Sequence, residues 1–277
     1  MNENIAYRIY KEPKLQASSL IVGWNEDAGN LGDRVIKYLN EKLGCEEFGE
    51  IEPVEFFPLG GVSVEDDVAH FPESKFYSCP KKNLVLFKSN APRAEWHKFL
   101  NTILNVAEQY CHTTEVYTIG GMVALSAHTS TRELFAISNS PKMKIILGQY
   151  NLNNDMDYVT PPEQRPTISS FLLWVARNRA LIGASLWVPL PFYLLATEDP
   201  AACKRVVEFF DTRFNLGIDL SDLDIAVKKQ NEKIASMRFS FPEIDKYIRN
   251  LESNVALSQE ESEKLVKEIE EYLKRIE

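Results

Sequence analysis

An apolar run that stops at a glycine-bearing loop and resumes at helical spacing constrains this chain more than anything else in it. Leu20-Ile21-Val22 reads as a buried strand, and the loop from Gly23 to Gly32 follows it. Leu31, Val35, Ile36, Leu39 and Leu43 then recur at the period of a helix. Asn30 suits the N-cap, Asp33 sits near the positive end of the helix dipole, and Gly44 suits the stop. Strand, glycine loop and helix N-terminus are the usual opening of an α/β domain, and such a loop can bind an anion.

The later apolar runs extend that reading. Strands are expected at 20–23, 83–87, 115–119 and 184–188, all apolar enough to be covered on both faces. They predict a three-layer α/β/α architecture around one mixed, mainly parallel sheet. A further strand is expected over Val54, Phe56 and Leu59, with a turn at Gly60-Gly61 and a short antiparallel strand over Lys75–Cys79. Short strands are also expected at 134–137 and 145–147. Trp96, Phe99, Leu100, Ile103, Leu104 and Ala107 give one amphipathic helix, and residues 167–179 give another. Residues 150–166, with Tyr158, Pro161 and Pro162, read as a surface loop. Asp199-Pro200 opens a helix as N-cap and N1. Beyond Asp219 the β signal ends, and three Ser-x-x-Asp/Glu boxes (Ser221/Asp224, Ser240/Glu243, Ser258/Glu261) announce helices in series. The expected organisation is an α/β domain over 1–217 and a helical appendage over 218–277.

Composition limits the partners. A net charge of −9 argues against nucleic acid, because phosphate binding needs a basic face. Cys45, Cys79, Cys111 and Cys203 are widely spaced and contain no Cys-x-x-Cys, so reduced thiols in a cytoplasmic protein are expected. The first ten residues lack the apolar region of a secretion signal, and no apolar run reaches the ~18 residues of a membrane span. No metal-ligand cluster or cofactor fingerprint is present, so no cofactor is expected.

In open α/β sheets ligands gather at the carboxyl ends of strands. That rule selects Gly23, Trp24, Asp27 and Gly29 after the first strand, Gly120, Gly121, His128 and Thr129 after the third, and Trp187 after the last. Each has a plainer reading. The Gly23–Gly32 loop lacks the lysine of a P-loop, and Glu26 and Asp27 repel anions, so a tight turn serves as well. His128 with Thr129 offers a base and a hydroxyl, or a structural hydrogen-bonding pair. Trp24 and Trp187 can stack on a ligand or fill the core.

Gly23-Trp24-Asn25-Glu26-Asp27-Ala28-Gly29-Asn30-Leu31-Gly32 resembles the Gly-Trp-x-Asp-Ala-Gly-x-x-Gly signature of the proteasome assembly chaperone 2 family, with one residue inserted before the Asp. Gly120-Gly121 with His128-Thr129 is similar to that family's Gly-Gly…Pro-His-Thr-Arg-Pro segment, and Ser185-Leu186-Trp187-Val188-Pro189 to its Ser-Leu-Trp-x-x-Val-Pro segment. The resemblance implies an α/β/α domain like that of nucleoside phosphorylases and hydrolases, commonly an oligomer (a trimer in bacterial relatives), and proteasome binding in archaeal and eukaryotic relatives. Ala127 and Ser130-Thr131 depart from the second segment. The family's docking tail, a hydrophobic residue, Tyr and one last residue, is not matched by Arg275-Ile276-Glu277, and Tyr272 lies too far upstream. Two functions follow as expectations. One is an oligomeric protein-binding scaffold of chaperone-like character without that docking motif, more a binder than an enzyme. The other is an enzyme acting on a small nucleotide-like or carboxylate substrate, or of the ATP-grasp label some relatives carry.

Overall fold

The computed structural model describes residues 6–25, 27–57, 62–65, 67–153, 156, 159–161 and 163–276. In chain order the elements are β1 (Tyr7–Ile9), β2 (Ser19–Asn25), α1 (Leu31–Leu43), β3 (Glu46–Ile51), β4 (Ser63–Glu65), β5 (Val68–His70), β6 (Ser74–Cys79), β7 (Leu84–Asn90), α2 (Trp96–Cys111), β8 (Glu115–Ala124), β9 (Phe135–Ser138), α3 (Pro141–Leu147), α4 (Ile168–Asn178), β10 (Ile182–Pro191), α5 (Pro200–Phe214), α6 (Ser221–Ser240), α7 (Pro242–Glu252) and α8 (Gln259–Ile276). Eight strands form one mixed, mainly parallel sheet in the order β1-β3-β6-β7-β2-β8-β10-β9, and β4 with β5 makes a separate hairpin. The four strands expected at the centre are there, side by side. β2 runs parallel to both β7 and β8, while β6, β3 and β1 continue the sheet antiparallel.

Alternation along β2 explains the layers. Leu20, Val22 and Trp24 join a core with Phe87, Val116, the α2 residues Phe99, Leu100, Ile103 and Leu104, and the α4 residues Leu172, Val175 and Ala176. Gly23 points the other way, onto α1. A Cβ there would stand 2.4 Å from the carbonyl oxygen of Gly32 and 2.5 Å from Ile36. The first glycine of the loop therefore serves close strand–helix packing, not a vacant cradle.

Several local expectations are corrected. The strand expected over Val54–Leu59 lies earlier, at β3; Pro53–Glu55 is a 3₁₀ turn that brings Phe56 against Phe99, ring centroids 4.9 Å apart. Leu59 and Gly60-Gly61 fall outside the described residues, as do Glu26, Tyr158 and Pro162. Residues 145–147 are helical, because Ser140 caps α3 at the Met143 N–H and Pro141 fits its first turn. Asn30 is left-handed at φ 50° and lacks the extended backbone of an N-cap; that geometry is at Asp27, ahead of a 3₁₀ turn over Ala28–Asn30. Cys45 and Cys79 are joined by a disulfide, not reduced as expected. Antiparallel pairing of Glu46 with Ser78 puts the two cysteines one step further along the same ladder, with Cα atoms 4.5 Å apart. Cys111 and Cys203 are buried free thiols.

The chain separates into two compact units. The first holds Met1–Glu26, Gly32–Gly120 and Phe135–Leu186; the second holds Asp27–Leu31, Gly121–Leu134 and Trp187–Glu277. The core of the second is built from Ala127, Tyr193, Leu194, Ile234, Met237, Ile244, Ile248, Leu251, Leu265, Ile269 and Leu273, drawn mostly from α6, α7 and α8. Val266 packs partly buried against it.

Candidate functional site

The candidate residues resolve into separate groups. In the first unit Trp24 is a core residue: its indole N–H donates to Ser169 Oγ at 3.0 Å, and its ring meets Phe87 edge-on at 6.3 Å. Gly120 lies inside β8, which runs on to Ala124. Gly120-Gly121 is thus strand, not the loop expected at a strand end.

In the second unit Asp27, Gly29 and Gly121 come together. Asp27 Oδ2 accepts the Gly121 N–H at 3.2 Å. A Cβ on Gly121 would fall 2.3 Å from the Ala28 carbonyl oxygen and 2.6 Å from Leu190, so only glycine lets the loop lie this close to the strand. Gly29, at φ 68°, also abuts Leu190. The carboxylate that repels anions in the sequence reading is here a hydrogen-bond acceptor for its own chain. Trp187 is half-buried, and its Nε1 is buried with no hydrogen-bond partner.

His128 and Thr129 belong to a different network. His128 is 7% exposed; its backbone N–H donates to Tyr193 Oη at 2.6 Å, and its Nδ1 lies 2.9 Å from the same hydroxyl. Burial, helped by the nearby Arg238 cation, pushes the imidazole down to about 4, so it is neutral near pH 7. A neutral Nδ1 accepts the Tyr193 hydroxyl proton, and that hydroxyl is left to accept the backbone N–H. Burial likewise pushes the Tyr193 phenol up. Thr129 Oγ1 donates to Glu252 at 3.2 Å, and Glu252 takes two further bonds from Arg238 at 2.7 and 3.1 Å. Arg238 also reaches Asp245 at 2.7 Å. These charge-assisted bonds hold Glu252 and Asp245 below the usual carboxylate range.

Next to it is a buried ion pair. Arg132 Nε donates to Asp199 Oδ2 at 2.9 Å and a guanidinium N–H donates to the Ser130 carbonyl at 2.6 Å, while Asp199 Oδ1 caps α5 at the Ala202 N–H. Both side chains are about 95% buried, at 4% and 5% exposed. Sequence reasoning found Asp199 only as a helix cap and missed Arg132, Tyr193, Arg238 and Glu252. Their partners lie 65 to 123 residues away in the chain for Tyr193 and Glu252, beyond any local pattern. The arrangement pins the 121–134 segment to the helical bundle of its unit. It does not present a base: the histidine is buried, neutral, and engaged at Nδ1. Among the described residues no group of three or more His, Cys, Asp or Glu has the spacing to hold a metal, and no helix is long and apolar enough to cross a membrane.

The family model described as "PAC2 family" matches residues 20–238. No curated protein matches the sequence. Among solved structures, the chain is similar to the Mycobacterium tuberculosis protein of unknown function Rv2714, with TM-score 0.76 and 18% identity over 92% of this chain and 90% of that one. It is similar to PbaB of Pyrococcus furiosus, an archaeal proteasome activator, with TM-score 0.67 and 17% identity over 84% of this chain and 98% of that one. It is similar to the M. tuberculosis proteasome-assembly chaperone homologue Rv2125, with TM-score 0.67 and 17% identity over 83% and 99%. At such identities the likeness is one of fold.

Proposed function

This chain belongs to the PAC2 family, and from that premise we propose that it is an oligomeric protein-binding scaffold of chaperone-like character. In this reading residues 1–217 are the α/β domain, 218–277 are a helical appendage, and the setting is the cytoplasm. The observation that carries it is what the candidate residues are bonded to. Asp27 holds Gly121, His128 holds Tyr193, and Thr129 holds Glu252, all within one unit. Groups that a catalytic site would keep available are committed to the chain's own packing. Similarity to an archaeal proteasome activator and to a proteasome-assembly chaperone homologue supports a protein partner. Tyr272 packs edge-on against Phe241, ring centroids 6.5 Å apart, which leaves it unsuited to act as a docking tyrosine.

One observation favours the other reading, an enzyme of the phosphorylase/hydrolase-like fold. The buried Trp187 indole N–H lacks a partner, and a small acceptor ligand would satisfy it. Asp27, Gly29, Gly121 and Trp187 would then line the pocket. Sedimentation at micromolar concentration together with affinity capture from the native lysate separates the two. A complex larger than 31.7 kDa that retains a specific protein is expected. A monomer that captures nothing would overturn the scaffold. The Cys45–Cys79 bond pulls against a reducing compartment. Alkylation at lysis tests the cytoplasmic assignment, which requires free thiols at both positions.

A further inference from the structure

Two features of the first unit expose apolar side chains to solvent. One is the β4–β5 hairpin. Val64 pairs with Ala69 across it, so the two share a face, and Val62 and Phe71 flank them. Val62, Val64 and Phe71 are 48%, 68% and 63% exposed. Isolated two-stranded hairpins are marginal in water, and an apolar side chain on one is ordinarily covered. The turn of this hairpin carries Asp67, which is exposed.

The other is an aromatic platform on α2 and α4. The Phe171 and Trp174 rings stack at 5.3 Å and 17°, Trp96 lies 6.3 Å from Phe171, and His97 lies 6.1 Å from Trp174. Trp174 is half exposed. Beside the stack is a cavity of about 400 Å³ lined by Arg93, Glu95, Trp96, Arg165, Pro166 and Phe171. Arg93 and Arg165 are exposed and make no ion pair among the described residues. Exposed tryptophan with arginine is the composition of an interface hot spot.

We infer that the β4–β5 hairpin of one copy docks on the Trp96/Phe171/Trp174 platform of the next. The inference rests on the oligomeric reading above and assigns its contact. Charge complementarity selects the occupant. Among the described residues the platform presents two guanidinium groups without an ion pair against the carboxylate of Glu95, in a chain of net charge −9. The hairpin offers the opposite: apolar side chains for the rings and the exposed carboxylate of Asp67 at its turn for the arginines. Hairpin and platform are different surfaces, so the contact is heterologous, and its repetition closes a ring or grows a filament.

The test is sedimentation velocity at micromolar concentration on the full chain and five variants, with circular dichroism and thermal melting as folding controls. Phe71→Ser removes the hairpin anchor and Trp174→Ser the platform anchor. Each is expected to weaken association by at least about tenfold while the melt is retained. An equimolar mixture of the two should recover dimers and nothing larger, because it holds one intact hairpin and one intact platform. Arg165→Glu and Asp67→Lys should each weaken assembly, and the two together in one chain should restore it. Variants that sediment as the wild-type oligomer would overturn the contact and leave the oligomer standing. So would a mixture that recovers nothing, which is the result expected of a hairpin-to-hairpin contact or of a foreign partner on the platform. A wild-type chain that is monomeric throughout would overturn both the contact and the oligomeric reading.

Discussion

The interiors of the two units are built differently. The first closes on carbon: Phe48, Phe56, Phe76, Phe87 and Phe99 are each 0% exposed and meet one another at 4.5 to 6.3 Å between centroids. Many of its buried polar groups are hydroxyls paired with each other, as in Ser18–Thr113, Ser74–Ser89 and Thr118–Ser185. Glu115 and Asp33 are its buried acids. The second unit instead buries a histidine, an arginine and an aspartate beside its apolar helices. Carbon packing depends on volume, whereas a buried ionic network depends on charge state. The two units should therefore fail in response to different perturbations.

The largest effect is expected from emptying the aromatic core. Phe99 touches Phe56, Phe57 and Phe87. Phe99→Ala should cost about 4 kcal/mol in urea unfolding followed by circular dichroism, from lost transfer energy plus a cavity. A loss under about 1 kcal/mol would mean that this core is looser than its contacts imply. Second comes the ion pair. Asp199→Asn keeps an oxygen for the α5 cap but strands the Arg132 cation, and should cost about 3 kcal/mol. Arg132→Met combined with Asp199→Asn should recover most of that loss, since no uncompensated charge stays buried. If the pair of substitutions costs the sum of the two singles, the charge is not what matters.

This contrast also marks what the amino-acid sequence reveals and what it does not. The central strands are runs such as Leu-Ile-Val and Leu-Val-Leu-Phe, whose burial follows from composition alone, and all four lie where the pattern puts them. The residues of the candidate site were selectable as strand-end positions, but their partners were not. His128 is bonded to Tyr193, 65 residues away, and Thr129 to Glu252, 123 away. Such pairs depend on how the helices pack, which no local period encodes. The Cys45–Cys79 bond was hidden for a related reason: it follows from β3–β6 register, and β3 was expected several residues too late.

Acid should separate the units next. Folded His128 sits at about 4, below the ordinary 6.5 of an unfolded histidine. Between these values the unfolded chain holds a proton that the folded one does not, so stability is full above about pH 6.5 and falls as the pH drops, by roughly 1.4 kcal/mol per unit. Glu252 and Asp245, held low chiefly by Arg238, act in the same direction further down: their contribution is lost as pH falls through their folded values. Asp33 in the first unit is also lowered. Its burial acts upward, but hydrogen bonds from Lys37 and Lys88 outweigh it, so its contribution too is lost only below the ordinary carboxylate range. From pH 6.5 to 5 the wild type should lose about 2 kcal/mol, and His128→Asn, which has no proton to take up, should lose far less. Parallel profiles for the two proteins would assign the acid sensitivity elsewhere.

The smallest effect concerns three helix starts that look alike in the sequence. At Ser258 the box is formed in both directions: Ser258 Oγ accepts the Glu261 N–H at 3.2 Å, and Glu261 accepts the Ser258 N–H at 2.9 Å. At α6 the N-cap is Leu220, without a side-chain cap, and the Ser221 hydroxyl turns back to Asp219 at 3.0 Å. At α7 the N-cap is Phe241 with Pro242 behind it, and the Ser240 hydroxyl donates to the Ser236 carbonyl at 3.1 Å, one turn back in α6. A hydroxyl that bonds to a residue behind it in the chain does not satisfy the N–H groups ahead of it. Ser258→Ala should therefore cost about 1 kcal/mol, because it exposes a donor that the box had satisfied. Ser221→Ala and Ser240→Ala should stay within about 0.5 kcal/mol of wild type, as ordinary surface changes do. Equal costs at all three would show that the motif, and not the observed cap geometry, sets the energy.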